Sequence, residues 1–295
     1  MTKNKPLQAI TPAIEELIAE ALAIEAEGAK DAGALGFMAR AMVQATLPHK
    51  KVAGNEFERR NGAFSLHLLA PAKIGLPYGT VPRLLLAWLT TEAVRTQSRE
   101  LELGESLSAF MRELDLVPTG GRWGTITRLK DQTRRLFAST VSATYSDSER
   151  QAEAGFRVAD RSVLWWDAKA PEQAALWRSS VTLTEAFYSE VIRRPIPVDM
   201  RAVKALKRSP LALDVYAWLT YRASYARKAS VIPWHGLAAQ FGADYAQVRQ
   251  FKAAFLQVLR KVSVVYSAAQ FEEVDGGLLV KPAPPHVKRL TGAKA

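Results

Sequence analysis

One basic segment of the sequence has the residue types that bind nucleic acid. Residues 120–137 read GGRWGTITRLKDQTRRLF, and apolar residues recur at the spacing of a helix docked on a core. The DNA-binding candidates in this segment are Gly121, Arg122, Gly124, Arg128, Lys130 and Arg135. Cations neutralise phosphates, glycines let backbone approach a bulky partner, and a helix start offers N–H groups to phosphate. A solvated helix on an ordinary core is the alternative interpretation.

A second segment near the C-terminus has a similar pattern. We expect a helix from Tyr245 to Val262, capped by Asp244, that buries Val248 and the apolar residues following it. The candidates for its exposed face are Ala246, Arg249, Gln250 and Arg260. Alanine suits a thymine methyl group, arginine a guanine edge and glutamine an adenine edge. In the loop before the preceding helix, Arg227 and Lys228 are predicted to clamp phosphates.

Residue patterns typical of catalysis and of metal or cofactor binding are missing. The chain has no cysteine, and its four histidines lack ligand spacing. It has no phosphate-binding glycine loop, no dinucleotide fingerprint and no nucleophile elbow. We therefore expect no catalytic residues, no metal, no cofactor and no enzyme activity. The tryptophans are interpreted as core residues rather than base-stacking ones.

The charge of the chain predicts a polyanionic partner. The 295 residues carry a formal net charge of +11, and the isoelectric point is about 9.8. Most of the excess lies in residues 181–295, which carry a net +9. No apolar run is long enough to span a membrane, and no signal-peptide pattern is present. These features predict a cytoplasmic protein without a membrane partner.

The elements around the first basic segment follow a helix-turn-helix order. A strand at 62–70 and a turn reading GLPYG precede a helix at 83–96, a short strand at 100–103 and a helix at 106–114. The turn at 118–121 then leads into the basic helix. We expect the alternating runs at 138–145 and 155–166 to form a hairpin after it. That hairpin would be the wing of a winged helix.

The same order of elements recurs later in the chain. The sequence AWLT occurs at 87–90 and again at 217–220, each time within the first helix of its set. A short helix at 234–241, the second basic helix, and a hairpin from 264–268 and 278–281 complete the second set. The prediction is an α+β fold of two tandem winged-helix domains with an N-terminal helical appendage.

The predicted boundaries divide the chain into four parts. They are the appendage at 1–60, a first domain at 61–194, a second domain at 195–286 and a basic tail at 287–295. Pro195 and Pro197 are interpreted as a stiff junction between the domains. The appendage either folds onto its own domain or contacts another subunit, as in a homodimer, or a host protein.

Several motifs resemble one protein family. GLPYG at 75–79, PRLLLAWLTTEAVRT at 82–96, LSAFMRELDLVPTGGRWGTITRL at 107–129 and VIPWHGLAAQFG at 231–242 resemble the plasmid-encoded RepA replication initiators of proteobacterial plasmids. The resemblance implies a protein that binds repeated sites in double-stranded origin DNA and opens or marks the origin. It also implies recruitment of the host initiator DnaA and the helicase DnaB. A transcriptional repressor with the same fold, and a primase or nickase, are the rival classes.

Overall fold

The N-terminal part of the chain supplies two helices and three strands. The structure is a computed structural model that describes residues 12–146, 148–149, 151–164, 170–172, 179–242 and 245–287. Its first elements are α1 (Pro12–Ala26), β1 (Leu35–Met38), α2 (Arg40–Gln44), β2 (Glu56–Asn61) and β3 (Phe64–Leu69). No helix in the described ranges is long and apolar enough to cross a membrane.

The predicted first helix set is present, but it contains an insertion. Its elements are α3 (Val81–Thr96), β4 (Glu100–Glu102), α4 (Leu107–Glu113), α5 (Thr125–Ala138), β5 (Thr140–Ser146), β6 (Gln151–Arg157), β7 (Ala159–Val163) and β8 (Ser180–Leu183). Strands β4, β8 and β7 form an antiparallel sheet in that order. Strands β5 and β6 instead join β2 and β3 in a four-stranded sheet, ordered β2-β3-β5-β6.

The hairpin predicted at 138–145 and 155–166 is present in part, because β5 pairs antiparallel with β6 and Thr140 lies opposite Arg157. It belongs, however, to the sheet of β2 and β3. Its first strand, β5, pairs along β3, where Leu66 lies opposite Ala143 and Leu68 opposite Val141. Burial of Leu66, Leu68 and Val141 favours this pairing, because each has almost no exposed surface. The predicted second run is divided between β6 and β7, and only β7 contributes to the sheet that contains β4.

The predicted proline junction is part of a sheet. Three elements link the two helix sets: α6 (Glu185–Arg193), β9 (Ile196–Asp199) and α7 (Met200–Leu206). Strand β9 contains Pro197 and pairs antiparallel with β1, placing Leu35 opposite Asp199 and Met38 opposite Ile196. Because β1 covers β9, the segment after Pro195 is a paired strand rather than a spacer between domains.

The second set repeats the first in element order and strand order. It comprises α8 (Pro210–Tyr225), β10 (Ser230–Pro233), α9 (Trp234–Phe241), α10 (Val248–Val265), β11 (Phe271–Val274) and β12 (Gly277–Val280). Its sheet is ordered β10-β12-β11, which matches β4-β8-β7. We call α3–β8 without the β5–β6 insertion the first unit, and α8–β12 the second unit.

The shared AWLT sequence occupies the same structural position in both units. Trp88 packs edge-on against Phe110 of α4, with ring centroids 5.0 Å apart and an interplanar angle of 89°. Trp218 packs in the same way against Phe241 of α9, at 5.6 Å and 75°. Each tryptophan thus attaches the first helix of its unit to the second. The repeat seen in the sequence is a repeat of packing.

Residues 12–60 are integrated into the fold of the rest of the chain. Met42 and Val43 of α2 and Leu47 after it are buried in the core that both units share. Strand β2 pairs with β3 over its full length, and β1 pairs with β9. Gly36 packs closely on α7, because a Cβ there would lie 2.4 Å from the sulfur of Met200 and would require that side chain to move.

A buried ionic cluster joins the first helices of the two units. The Arg83 guanidinium donates to both carboxylate oxygens of Asp214 at 2.7 Å. It also donates to the carbonyl oxygens of Leu47, Pro48 and Gly79 at 2.7–3.2 Å, so all five of its donors are used. The side chains of Arg83 and Asp214 are 3% and 6% exposed. The N-terminal segment, α3 and α8 therefore meet at one ion pair.

His49 completes this cluster. Its Nε2 lies 2.7 Å from an Asp214 carboxylate oxygen, and its side chain is 8% exposed. Burial lowers the pKa of His49 below its ordinary value and outweighs the opposing effect of Asp214. Burial alone would raise the pKa of Asp214, but Arg83 and His49 hold it below its usual range. The cluster consequently favours a neutral histidine and an ionised aspartate.

Helix α10 and the strand that follows it begin and end later than predicted. Helix α10 starts at Val248, which is 47% exposed rather than buried, and it continues to Val265. Val262 and Val265 extend its buried face, so the run predicted as a strand at 264–268 begins inside the helix. The first strand of the hairpin is instead β11. Asp244 and residues 288–295 of the predicted tail lie outside the described residues.

Candidate nucleic-acid interface

Helix α5 has the amphipathic arrangement that its sequence predicts. Ile126, Leu129, Leu136 and Phe137 are buried, and they pack α5 onto the core of the first unit. The cations of α5 are Arg128, Lys130, Arg134 and Arg135. Arg128 and Arg134 are exposed and Lys130 is half-buried. The helix therefore presents positive charge on the side away from its core.

Arg135 does not have the exposed position expected of it. Its side chain is only 15% exposed, and its Nε donates to Asp131 at 2.8 Å. Its Nη1 donates to the carbonyl oxygen of Leu76, and the guanidinium lies 5.6 Å from the Tyr78 ring centroid. Arg135 thus holds the GLPYG turn against α5, and a contact from this residue to DNA stays a prediction.

The GLPYG turn is a structural junction. Gly75 and Gly79 adopt positive φ angles of 78° and 79°, which glycine tolerates best. The Tyr78 N–H donates to the side chain of Gln132 on α5, and the Gly79 N–H donates to the carbonyl oxygen of Pro48. This motif fixes the start of α3 against both α5 and the N-terminal segment.

Thr119 organises the loop before α5, residues 117–124. Its hydroxyl accepts from the Thr125 N–H at 2.9 Å, and its carbonyl oxygen accepts from the Ile126 N–H at 3.2 Å. The first two N–H groups of α5 are consequently occupied, so the expectation that they are available to a phosphate is wrong. The Thr127 hydroxyl donates to the carbonyl oxygen of Gly121 and adds a further brace.

The two glycine candidates are required by this loop itself. Gly121 has a φ of 86°, in the left-handed region. Gly124 caps α5 and is buried, and a Cβ there would lie 2.2 Å from the carbonyl oxygen of Thr119. The space at Gly124 is filled by its own chain. Its predicted role, to let backbone approach a partner, does not fit this geometry.

The loop exposes one tryptophan that the sequence analysis assigned to the core. Trp88, Trp218 and Trp234 are buried as expected, whereas Trp123 is 81% exposed. The guanidinium carbon of Arg122 lies 5.0 Å from the Trp123 ring centroid, a cation–π contact. The remaining tryptophans lie outside the described residues. The sequence did indicate this exposure, because Trp123 stands between Arg122 and Gly124 and does not continue the apolar spacing of α5.

A basic groove runs beside α5. It has a volume of about 460 Å³, and it is lined by Lys130, Thr133, Arg134, Phe137, Ala138, Arg157, Ser162 and Leu164. Three cations and no carboxylate line it, so it favours an anion. Arg157 is exposed and also donates to the carbonyl oxygen of Phe137 at 2.8 Å. Sequence reasoning missed Arg157, because only the folded chain brings β6 beside α5.

The exposed face predicted for the second basic helix is confirmed as exposed. The predicted residues, all of them exposed, are Ala246, Arg249, Gln250, Ala253, Gln257 and Arg260. Ala246 precedes the helix, while Arg249 and Gln250 lie in its first turn. Phe251 and Phe255 on the other face are fully buried. The residue types suited to base edges therefore lie at the N-terminal end of α10.

Arg227 and Lys228 are exposed in the connection between α8 and β10. Their position at a loop on the second unit suits contacts to phosphate, although a contact itself stays a prediction. The structure thus places the candidates in two groups. One group lies on α5 and nearby in the first unit, and the other lies on or just before α10 and in the α8–β10 connection of the second. In the ranges that the structure describes, no three His, Cys, Asp or Glu residues are grouped to hold a metal ion.

An exposed cationic third helix in each of two small mixed units is typical of nucleic-acid-binding proteins. A family model described as plasmid-encoded RepA protein matches residues 76–235, more than half of the chain. The chain belongs to this family of plasmid-encoded RepA proteins. The match includes the GLPYG turn from Leu76 onward, α5 and both AWLT helices.

The fold is similar to that of a solved protein. The crystal structure of domains 2 and 3 of RctB matches with a TM-score of 0.53 and 12% sequence identity, covering 83% of this chain and 95% of that one. A second structure of RctB domains 2–3 matches with a TM-score of 0.47 and 12% identity, covering 82% and 96%. No curated protein sequence matches the chain.

Proposed function

We propose that the protein is a plasmid replication initiator that binds repeated sites in double-stranded origin DNA. The observation that carries this proposal is the presence of two exposed basic helices, α5 and α10, in a member of the RepA family. In each unit the third helix would enter a major groove and read base edges. The surrounding cations would neutralise phosphates and release counterions, which makes the affinity depend on salt.

We infer that each unit is a winged helix. The order helix, strand, helix, helix, strand, strand supports this assignment in both units, as does the shared strand order within their sheets. In the first unit the wing would be formed by the antiparallel strands β7 and β8. In the second unit it would be the tight turn at Asp275 and Gly276 between β11 and β12.

In this proposal the origin opens because α5 and α10, which are held together in one protein, bind two major grooves at once. The Arg83–Asp214 ion pair and the shared core couple the unit that contains α5 to the unit that contains α10. Binding several adjacent sites would then strain a neighbouring AT-rich segment, whose flexible steps deform most easily. Family membership supports recruitment of host DnaA and DnaB helicase, and the N-terminal segment is a candidate for contacts within a homodimer.

Two assays on the full chain test this proposal. The purified protein should bind an origin repeat more tightly than a scrambled duplex, across a salt series, and should render AT-rich origin DNA reactive to permanganate. Supplied in trans, it should also restore replication of a plasmid that lacks its gene. Specific binding without opening or replication would identify a transcriptional repressor instead. A magnesium-dependent nick that requires one tyrosine or carboxylate would identify an enzyme.

A further inference from the structure

The exposed ring of Trp123 is not used by the core of its own unit. It is 81% exposed, while the tryptophans of α3, α8 and α9 are buried. The aromatic residue at the similar place before α10 is Tyr245, and it packs on Phe251 at 5.7 Å between ring centroids. Because the second unit folds its aromatic residue inward there, the shared plan does not require an exposed ring at Trp123.

The loop holds Trp123 in a defined position. Thr119 and Thr125 bond to each other through both backbone and side chain, and Gly124 has no space for a side chain. The Gly124 N–H also donates to the carbonyl oxygen of Gly121. An aromatic side chain on a braced loop loses little conformational entropy on binding, because its backbone is already ordered. Such a residue is suited to be a contact residue rather than a chance exposure.

The surroundings of Trp123 favour DNA as its ligand. Arg122 stacks on the ring, and α5 adds exposed Arg128 and Arg134, so the charge is complementary to a phosphate backbone. The guanidinium covers one face of the ring, whereas insertion between two bases requires both faces. The other face and the ring edge remain for an apolar group. In the major groove the apolar group of a base pair is the thymine C5 methyl.

We propose that Trp123 contacts a thymine methyl group in the major groove, and that Arg122, positioned by the ring, bonds the edge of a neighbouring guanine. This inference rests on the proposed function, because it places the start of α5 at the base edges. Arginine to guanine is the commonest specific contact in this groove. Trp123 is then a specificity-determining residue of the first unit.

Single-atom changes in the DNA test this contact. In a series of origin duplexes, each with one thymine replaced by deoxyuridine, only a methyl group is removed. Wild-type protein should bind at least one duplex roughly three- to fivefold more weakly, the loss expected for one buried methyl group. The Trp123→Ala variant should bind the unmodified site more weakly and unfold at the same temperature as the wild type. At the position of the missing methyl group, and nowhere else, it should no longer distinguish thymine from deoxyuridine. Val117→Ala is the matched control, because Val117 is 74% exposed in the same loop.

The outcomes separate this inference from the function on which it rests. Val117→Ala should keep the complete deoxyuridine profile of the wild type. If Trp123→Ala also keeps that profile, or if no position is sensitive in the wild type, the methyl contact is wrong. In both cases the proposed function stands as long as the wild type still prefers the origin over scrambled DNA. Loss of that preference in the wild type would overturn the proposed function itself.

Discussion

At the scale of single residues, Arg249 and Lys228 are expected to differ in what they recognise. Arg249 is exposed in the first turn of α10, where a recognition helix meets base edges, whereas Lys228 lies in a loop. Arg249→Ala should cost ~1–3 kcal/mol of binding free energy on the specific site and little on random DNA. Lys228→Ala should weaken both alike and reduce the salt slope by about one. Titrations of origin and scrambled duplexes across a salt series measure both effects. If Arg249→Ala loses the same affinity for both DNAs, α10 contacts only the DNA backbone.

Arg128 and Arg135 have different environments on the same helix. Arg128 is exposed, while Arg135 bonds Asp131 and the GLPYG turn. Arg128→Ala should therefore reduce origin affinity without changing the free energy of unfolding. Arg135→Ala should lower that free energy by roughly 0.5–3 kcal/mol, because it removes a partly buried brace. Leu129→Ala, a core truncation, is the reference at ~2–5 kcal/mol. Urea unfolding and origin titration of the three variants separate these roles. If Arg135→Ala is as stable as the wild type but binds DNA more weakly, Arg135 contacts DNA.

At the scale of elements, the N-terminal segment is expected to be indispensable for folding. Removing residues 1–60 deletes β1 and β2, so β9 loses its strand partner and β3 is left paired with β5 alone. It also removes Met42, Val43 and Leu47 from the core and the carbonyl partners of Arg83. The truncated protein should lose its cooperative thermal transition. Removing residues 1–11 alone is the control, and it should leave the transition in place. A cooperative, DNA-binding 61–295 fragment would show that the segment is dispensable.

The repeated elements could be predicted from sequence because their signals are local. AWLT, the short helices and the amphipathic patterns of α5 and α10 depend on neighbours a few residues apart. The assignment of β5 and β6 depends instead on β3, more than seventy residues earlier in the chain, and no local pattern encodes that pairing. The same limit applies to Arg135, whose partner Leu76 is supplied by the GLPYG turn. Exposure of Trp123 follows from a loop held together by Thr119 and Thr125, which composition does not reveal.

At the scale of the whole molecule, a buried ion pair links the two units in addition to their shared core. Asp214→Asn would leave the Arg83 charge, which is 3% exposed, without its counter-ion. Removing one partner of such a pair is destabilising by about 3–5 kcal/mol. In the proposed mechanism the pair also keeps α5 and α10 in one connected body. The cluster therefore contributes to stability and, in that mechanism, to the spacing between two DNA contacts.

The same cluster makes stability depend on pH. Burial lowers the pKa of His49 in the cluster, and also that of His286, which lies outside it with its Nδ1 2.7 Å from the Tyr216 hydroxyl. The folded protein therefore keeps both neutral where the unfolded chain, with an ordinary value of 6.5, takes up protons. The pKa of Asp214 is also lowered, which adds further loss at lower pH as that carboxylate is protonated. The contribution of these groups to the free energy of unfolding should therefore be fully present above pH ~6.5. It should fall as the pH decreases, by at most about 1.4 kcal/mol per pH unit for each proton taken up.

His49→Gln tests the contribution of that one group. Glutamine can donate to Asp214 through its amide but does not titrate, so the acid-side slope of unfolding free energy should decrease by up to one proton. Around His49 the charged groups are Asp214, Arg83 and Arg59, and none of them is altered by this substitution. His235→Gln is the control at an exposed histidine. Urea unfolding between pH 5 and pH 8, at about half-unit steps, measures the slope. An acid slope in His49→Gln equal to that of the wild type would show that His49 is already protonated in the folded protein, with the Asp214 carboxylate outweighing its burial.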